Sequence, residues 1–305
     1  MYDIEKYYNA KTVSEAVSLL KEHPDARIIS GGSDVLIKIR EGRMAGTSLV
    51  SIRDVEEIKG ITRNEDGDIL IGAGTVFSHI TADPIIQKYI PVLGEAVDQV
   101  GGPQIRNIGT IGGNICNGAV SADSVPTVFS YNSLLHIANE DGGRIAPVRE
   151  FYLGPGRVDL HPGEVLTHVV IPKKEYAGYH GHYIKYSMRN AMDIATLSCS
   201  VVSKIDTAKN ILEDVRITFG GKPSMTANPG SSPSSSAWAR SIREHMPWMV
   251  DIHAESTLSA GSNRPFARSV DRTRLLISDA ALSVKVMAST WSMSSIPEFD
   301  SGERA

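Results

Sequence analysis

The sequence predicts a protein of mixed helix and strand built in several parts, and three observations predict it. A capped amphipathic helix and a strand–glycine turn–helix run fill the first 40 residues. A hairpin signal, Asp66-Gly67, stands between two short apolar runs. Strand-like runs then return at Leu134 to Ala138, at Val165 to Ile171 and beyond Ala195. At 305 residues, 41% hydrophobic and 22% charged, the chain can bury a sizeable core as one large domain or two to three smaller ones.

Taken in order, Thr12-Val13-Ser14-Glu15 fits a capping box, with Val13, Ala16, Val17 and Leu20 as the apolar stripe of a helix that ends near His23-Pro24. Ala26 to Ser30 reads as a strand, Gly31-Gly32-Ser33-Asp34 as a turn, and Val35, Leu36, Ile37 and Ile39 as a second helix. That order aims backbone amides at an anion. Leu49 to Ile52 is a further strand. Gly60-Ile61-Thr62 and Asp68 to Gly72 are the arms of the hairpin. Val92 to Val100 has helical spacing and stops at Gly101-Gly102-Pro103. Arg106 to Gly118 is rich in glycine and asparagine, and within it Gly109 to Ile115 suits a loop folded against something flat or bulky. The strand at Val165 to Ile171 is closed by Pro172, and the polar Pro172 to Tyr176 marks a boundary. Ala195 to Ile205 and Leu212 to Phe219 are two more strands.

From about Gly221 the composition changes. The last 85 residues hold 18 serines, against 15 in the first 220, and all three tryptophans (Trp238, Trp248, Trp291). Ser231 to Ser236 is a low-complexity string, and only Leu275 to Leu282 behind it suggests a helix.

A net charge of −4 gives no electrostatic reason to expect nucleic acid or an anionic membrane as partner. The first residues lack a secretory pattern, and no run reaches the length of an apolar membrane span, so the cytoplasm is the expected compartment. Two cysteines, Cys116 and Cys199, cannot ligate an iron–sulfur cluster by themselves. His180-Gly181-His182 lacks a third ligand for zinc, no G-x-S-x-G elbow is present, and Cys116 has no evident activating histidine. No metal site is expected, and none of these motifs supplies an activated nucleophile.

Two glycine segments remain as candidates. In Ile28 to Asp34 the paired glycines let the backbone approach a ligand closely, although the third glycine of a dinucleotide fingerprint is missing. In Gly109-Thr110-Ile111-Gly112-Gly113-Asn114, Thr110 and Asn114 add polar side chains; a plain turn between strands is the alternative. Lying ~80 residues apart, the two segments could grip two parts of one long nucleotide. Lys185 to Ile194 gathers two cations and an acid, and reads otherwise as a solvated loop.

In order along the chain, Ile29 to Leu36, Gly102-Pro103-Gln104-Ile105-Arg106-Asn107, Gly109 to Ile115, Asn117-Gly118-Ala119, Ser121 to Ser124, Gly154-Pro155-Gly156, Glu164-Val165-Leu166 and Lys185 to Ile194 resemble the FAD-binding subunits of xanthine dehydrogenase and other molybdenum hydroxylases, most of all those of bacterial three-subunit enzymes. The resemblance covers residues 1–220. It implies an α+β fold of the PCMH (vanillyl-alcohol-oxidase) type: FAD-binding subdomains at 1–58 and 59–175, the start of a C-terminal α+β domain at 176–220, and an atypical tail at 221–305. It implies FAD contacts from Arg27, Ile28, Ile29, Ser30, Gly31, Gly32, Ser33, Asp34 and Val35, with the pyrophosphate at this loop. Further contacts fall on Gly109, Thr110, Ile111, Gly112, Gly113 and Asn114, on Val100 near the adenine, and on Asp123, Leu166, Lys185 and Ile194, the last against the flavin ring. Arg189 matches a basic position near the flavin.

The implied chemistry is purine hydroxylation at molybdopterin in a large partner. Electrons pass through the [2Fe-2S] clusters of a small partner to FAD here, and a hydride passes to NAD+. Aldehydes, carbon monoxide or nicotinate derivatives stay open as substrates. A free-standing FAD oxidoreductase and a flavin-free assembly protein on the same scaffold are the alternatives. The tail departs from the family pattern, as an out-of-frame segment, a divergent domain or a disordered extension.

Overall fold

The computed structural model describes residues 2–189, 191–206 and 211–221, and the backbone of Thr226–Ala227. All of these except His180–His182 fall in one compact unit. The expectations for the serine-rich tail and for Leu275 to Leu282 lie outside the described residues.

The chain opens with β1 (Ile4–Asn9), α1 (Val13–Glu22), β2 (Arg27–Ile29), α2 (Val35–Arg40) and β3 (Thr47–Ser51), whose strands make a parallel sheet in the order β1-β3-β2. Helical crossovers are what parallel neighbours require. The capping box half forms: the Thr12 hydroxyl accepts from the Glu15 amide, but Glu15 reaches back to the Lys11 amide, one residue before the cap. Ala16, Val17 and Leu20 turn the apolar face of α1 inward.

Next come β4 (Ile61–Arg63), β5 (Ile69–Gly72), α3 (Phe77–Ala82), α4 (Pro84–Tyr89), α5 (Pro91–Asp98), α6 (Pro103–Arg106), α7 (Ile111–Cys116), α8 (Ser124–Ser130), β6 (Leu134–Ala138), β7 (Arg144–Pro147), α9 (Val148–Phe151), β8 (Tyr152–Gly154), β9 (Arg157–Val158) and β10 (Val165–Ile171). They build a five-stranded sheet, β4-β5-β10-β6-β7. The β4–β5 hairpin turns at Gly67, φ +90°, as Asp-Gly predicts. The main core lies on this sheet under α3, α5 and α8, where Phe77, Ile80, Leu93 and Val128 are almost wholly buried. Burying each side chain of that size stabilises the fold by roughly 1.5–3 kcal/mol. A second cluster, including Val17, Val50, Ile58 and Val165, joins the parallel sheet to β10.

Finally α10 (Lys173–Tyr176) leads to β11 (Tyr179–Tyr186), β12 (Leu197–Asp206), β13 (Ile211–Gly221) and β14 (Thr226–Ala227), a four-stranded sheet in that order. Pro172 to Tyr176 forms a helical turn whose Tyr176 is buried and donates to Gly67 O. Two expectations are corrected. The Gly109 to Ile115 segment, expected as a loop or turn, instead caps and begins α7. Lys185 ends β11 as a buried side chain, whereas Arg189 beyond it is exposed.

Candidate functional site

The two glycine segments meet. A Cβ on Gly31 would stand 1.9 Å from the Ile108 carbonyl oxygen, so only glycine allows the β2–α2 turn to lie against the Ile108–Gly109 backbone. Beside this contact the Thr110 hydroxyl donates to Ser30 Oγ at 3.3 Å.

Helix α7 forms despite its glycines because its first turn is fully satisfied. The Ile111 and Gly112 amides donate to Thr75 O and Ala73 O, and the Gly113 amide donates to the capping Thr110 hydroxyl. Gly112 has no room for a side chain, since its Cβ would lie 2.6 Å from that of Ala73. The first turn of α7 therefore has no amide left for a ligand. The β2–α2 turn differs: among the described residues, the amides of Gly31, Gly32, Ser33, Asp34 and Val35 have no hydrogen-bond acceptor. Unpaired donors at a turn, under a backbone only glycine permits, suit the oxygens of a diphosphate.

These segments line one cleft of about 720 Å³. The structure brings Arg27, Ile28, Ser30, Gly31, Gly32, Ser33, Asp34, Val35, Val100, Gly109, Thr110, Gly112, Gly113, Asn114 and Leu166 to its wall. It does not bring Ile29 or Ile111 there. Ile29 packs with Ile39 and Leu49, and the fully buried Ile111 belongs to the main core. Ile194 does not line the cleft either and is 74% exposed.

Asp123 and Lys185 stand behind the wall and pair with each other at 2.9 Å, both nearly buried. The Tyr183 hydroxyl donates to Asp123 at 2.7 Å, and Lys185 donates to Gln99 O, next to Val100. Ser124, beside Asp123, donates to Asn114 Oδ1. Burial pushes the Asp123 carboxyl upward, against the hydrogen bonds from Lys185 and Tyr183.

The sequence missed several lining residues: Lys38, Met44, Asn117, His161 and Glu164. Lys38 had a signal, since it stands four residues after Asp34 on one helix face and pairs with it. Asn117 and Glu164 stood in segments that carried the resemblance, but no local spacing gave Glu164 its partner Arg144, 20 residues away. Arg144 grips both Glu164 oxygens at 2.8 and 2.9 Å and reaches Asp159, fixing the Leu160–Leu166 side of the cleft. Burial alone would raise the Glu164 carboxyl, but the Arg144 hydrogen bonds and the His161 amide outweigh it and hold it below its ordinary value. Burial pushes both thiols up, to about 12. Among the described residues no group of three or more His, Cys, Asp or Glu could hold a metal ion, and no helix is long and apolar enough to cross a membrane.

The cleft lies between a parallel and an antiparallel sheet, and the part of the sequence that forms most of it matches a flavin-binding domain. Residues 2–174 fit the family model of the FAD-binding domain in molybdopterin dehydrogenase, and the chain belongs to that family. It is 40% identical over 222 residues to the putative xanthine dehydrogenase FAD-binding subunit of Escherichia coli K12, spanning 72% of this chain and 75% of the relative. It is 32% identical over 213 residues to the nicotinate dehydrogenase FAD-subunit of Eubacterium barkeri, with 68% and 71% covered. The fold matches a solved carbon monoxide dehydrogenase from Hydrogenophaga pseudoflava with a TM-score of 0.70 at 27% identity, covering 78% of this chain and 85% of that one. The chain is thus an FAD-binding subunit of the molybdenum hydroxylase family, with the α+β, PCMH-type fold.

Proposed function

We propose that this chain is the FAD-carrying subunit of a purine-oxidising, xanthine dehydrogenase-like enzyme. In this reading FAD receives electrons from the [2Fe-2S] clusters of a small partner, while molybdopterin in a large partner hydroxylates hypoxanthine or xanthine. Bound flavin supplies the change from one-electron to two-electron chemistry and gives a hydride to NAD+. The observation that carries the cofactor's place is the row of unpaired amides from Gly31 to Val35 at the cleft wall. These amides would hold the pyrophosphate, and Thr110, Gly113 and Asn114 would bound it on the α7 side. Asp123 and Lys185 would act from behind the wall, fixing Asn114 and Val100, rather than by lining it. Ile194 would approach the ring only through a shift of its exposed loop.

The purine reading rests on the 40% identity to a xanthine dehydrogenase subunit, against 32% to the nicotinate dehydrogenase subunit. The three sheets support division into two FAD-binding subdomains, 1–58 and 59–175, and a further α+β portion from 176. The same reading assigns the protein to the cytoplasm, with its soluble coenzyme. The test is co-purification. The native complex should contain FAD, iron and molybdenum, and should reduce NAD+ with xanthine. A lone, active flavoprotein without either metal would refute it, and a complex that oxidises another substrate would refute the purine assignment alone.

A further inference from the structure

We propose that Lys38 is a positioning residue of the flavin cleft, clasping its two glycine-bearing walls together through Asp34 and Asn117. The inference rests on the reading that FAD occupies the cleft.

Lys38 belongs to the last turn of α2, and Asp34 precedes that helix. The Lys38 ammonium lies 2.5 Å from Asp34 Oδ2 on its own wall and 2.9 Å from Asn117 Oδ1 on the other. Asp34 makes no capping bond to the α2 amides, so its carboxylate is committed to Lys38. Asn117 is the residue that ends α7.

The geometry gives the cleft two cross-bonds. At the start of α7 the Thr110 hydroxyl reaches Ser30; at its end Asn117 receives Lys38. Seven residues apart at about 1.5 Å per residue, the two stand roughly 10 Å from each other along α7. Two fixed points define the angle between the walls as well as their separation, which a single hinge-like contact does not. Lys38 is only about one-third exposed, with a side-chain value of 31%, so its charge is partly withdrawn from water. An ammonium has three donors; one goes to Asn117, and Asp34 pairs with the charge from its own wall. The ammonium stands at the lining of the cleft, where a remaining donor is available to an oxygen of the dinucleotide. Lys38 thereby holds the unpaired amides of Gly31 to Val35 at a fixed distance from α7 before the cofactor arrives. This lowers the ordering cost of binding.

The experiment is FAD titration of the full chain after flavin removal, followed by flavin fluorescence, for wild type, K38M, N117A and the double variant. Each single change should weaken binding by about tenfold, the worth of one hydrogen bond to a charged group. The double variant should bind no worse than the weaker single one, because the two residues act as one bond. N117D keeps an acceptor for Lys38 and should retain most of the affinity; it is also the readable variant should K38M fail to fold. K38M binding within twofold of wild type, single effects that multiply in the double variant, or N117D as weak as N117A would each overturn the clasp. A wild-type chain that takes up no FAD overturns the cleft reading and the clasp with it.

Discussion

Replacing Gly31 by alanine tests the central geometry. The new methyl would stand 1.9 Å from Ile108 O and 2.6 Å from the Ile108 carbonyl carbon, where ordinary contact begins near 3.4 Å. The backbones must separate by about 1.5 Å, and no flexible side chain can absorb the movement. Overpacking typically costs about 1–3 kcal/mol when side chains can adjust. With backbone on both sides, G31A belongs at or above the top of that range. For a unit of this size, about 3 kcal/mol lowers Tm by roughly 6–12 °C. The same movement would break the Thr110–Ser30 hydrogen bond and displace the unpaired amides, so flavin should be lost as well. The control is G42A. Gly42 also has positive φ, +78°, but nothing lies within 4 Å of its Cβ. It should cost only the left-handed backbone term, about 1–2 kcal/mol, with flavin retained. Thermal melts and flavin content after gel filtration read both variants. G31A melting within about 2 °C of wild type and keeping its flavin would refute the argument that the two glycine segments close on each other.

Three further outcomes follow from buried charges and thiols. K185M strands the Asp123 carboxylate beside α8 and should cost about 3–5 kcal/mol near neutral pH. With its folded pKa raised further, the penalty should be absent below the ordinary carboxylate range and grow as pH rises through it; D123N/K185M should recover stability at neutral pH. An unchanged K185M melt at pH 7 would count against the pair. Glu164, held below its ordinary value, contributes stability that is present above that value and lost as pH falls through the lowered one. E164Q should therefore flatten the acid limb of a Tm–pH curve, and a parallel limb would exclude its share. Cys116 and Cys199, half-buried with thiols pushed up to about 12, should react with iodoacetamide at pH 8 more slowly in the folded chain than in denaturant; equal rates would contradict the raised thiols.

Where local chemistry decides the outcome, the sequence was legible. β6 and β10 fall where their apolar runs do, and Asp66-Gly67 turns as such a pair must. The glycine segments were legible as a pair because their order along the chain is specific. What escaped depends on distant partners. β1 exposes Tyr7 and shows no clean alternation, since its stability comes from pairing with β3. α7 carries two glycines that lower helix propensity, and it forms because Thr75, Ala73 and Thr110 satisfy its first turn. α8 contains a proline, yet every one of its residues is buried. In the site, the Lys38–Asn117 and Arg144–Glu164 contacts span 79 and 20 residues, and no local spacing announces those pairings.

The contact between Gly31 and Ile108 has a consequence for how the protein is made. The Thr110–Ser30 bond spans 80 residues, and the Leu166 wall is farther still along the chain. Contacts of such long sequence separation form late in folding. A nascent chain that has completed its parallel sheet still has no cradle, and a cofactor meeting it then has one wall to bind. FAD can be captured only after more than half of the polypeptide has emerged and closed. From that moment its binding adds to stability by mass action, so flavin supply during synthesis should set the yield of folded subunit.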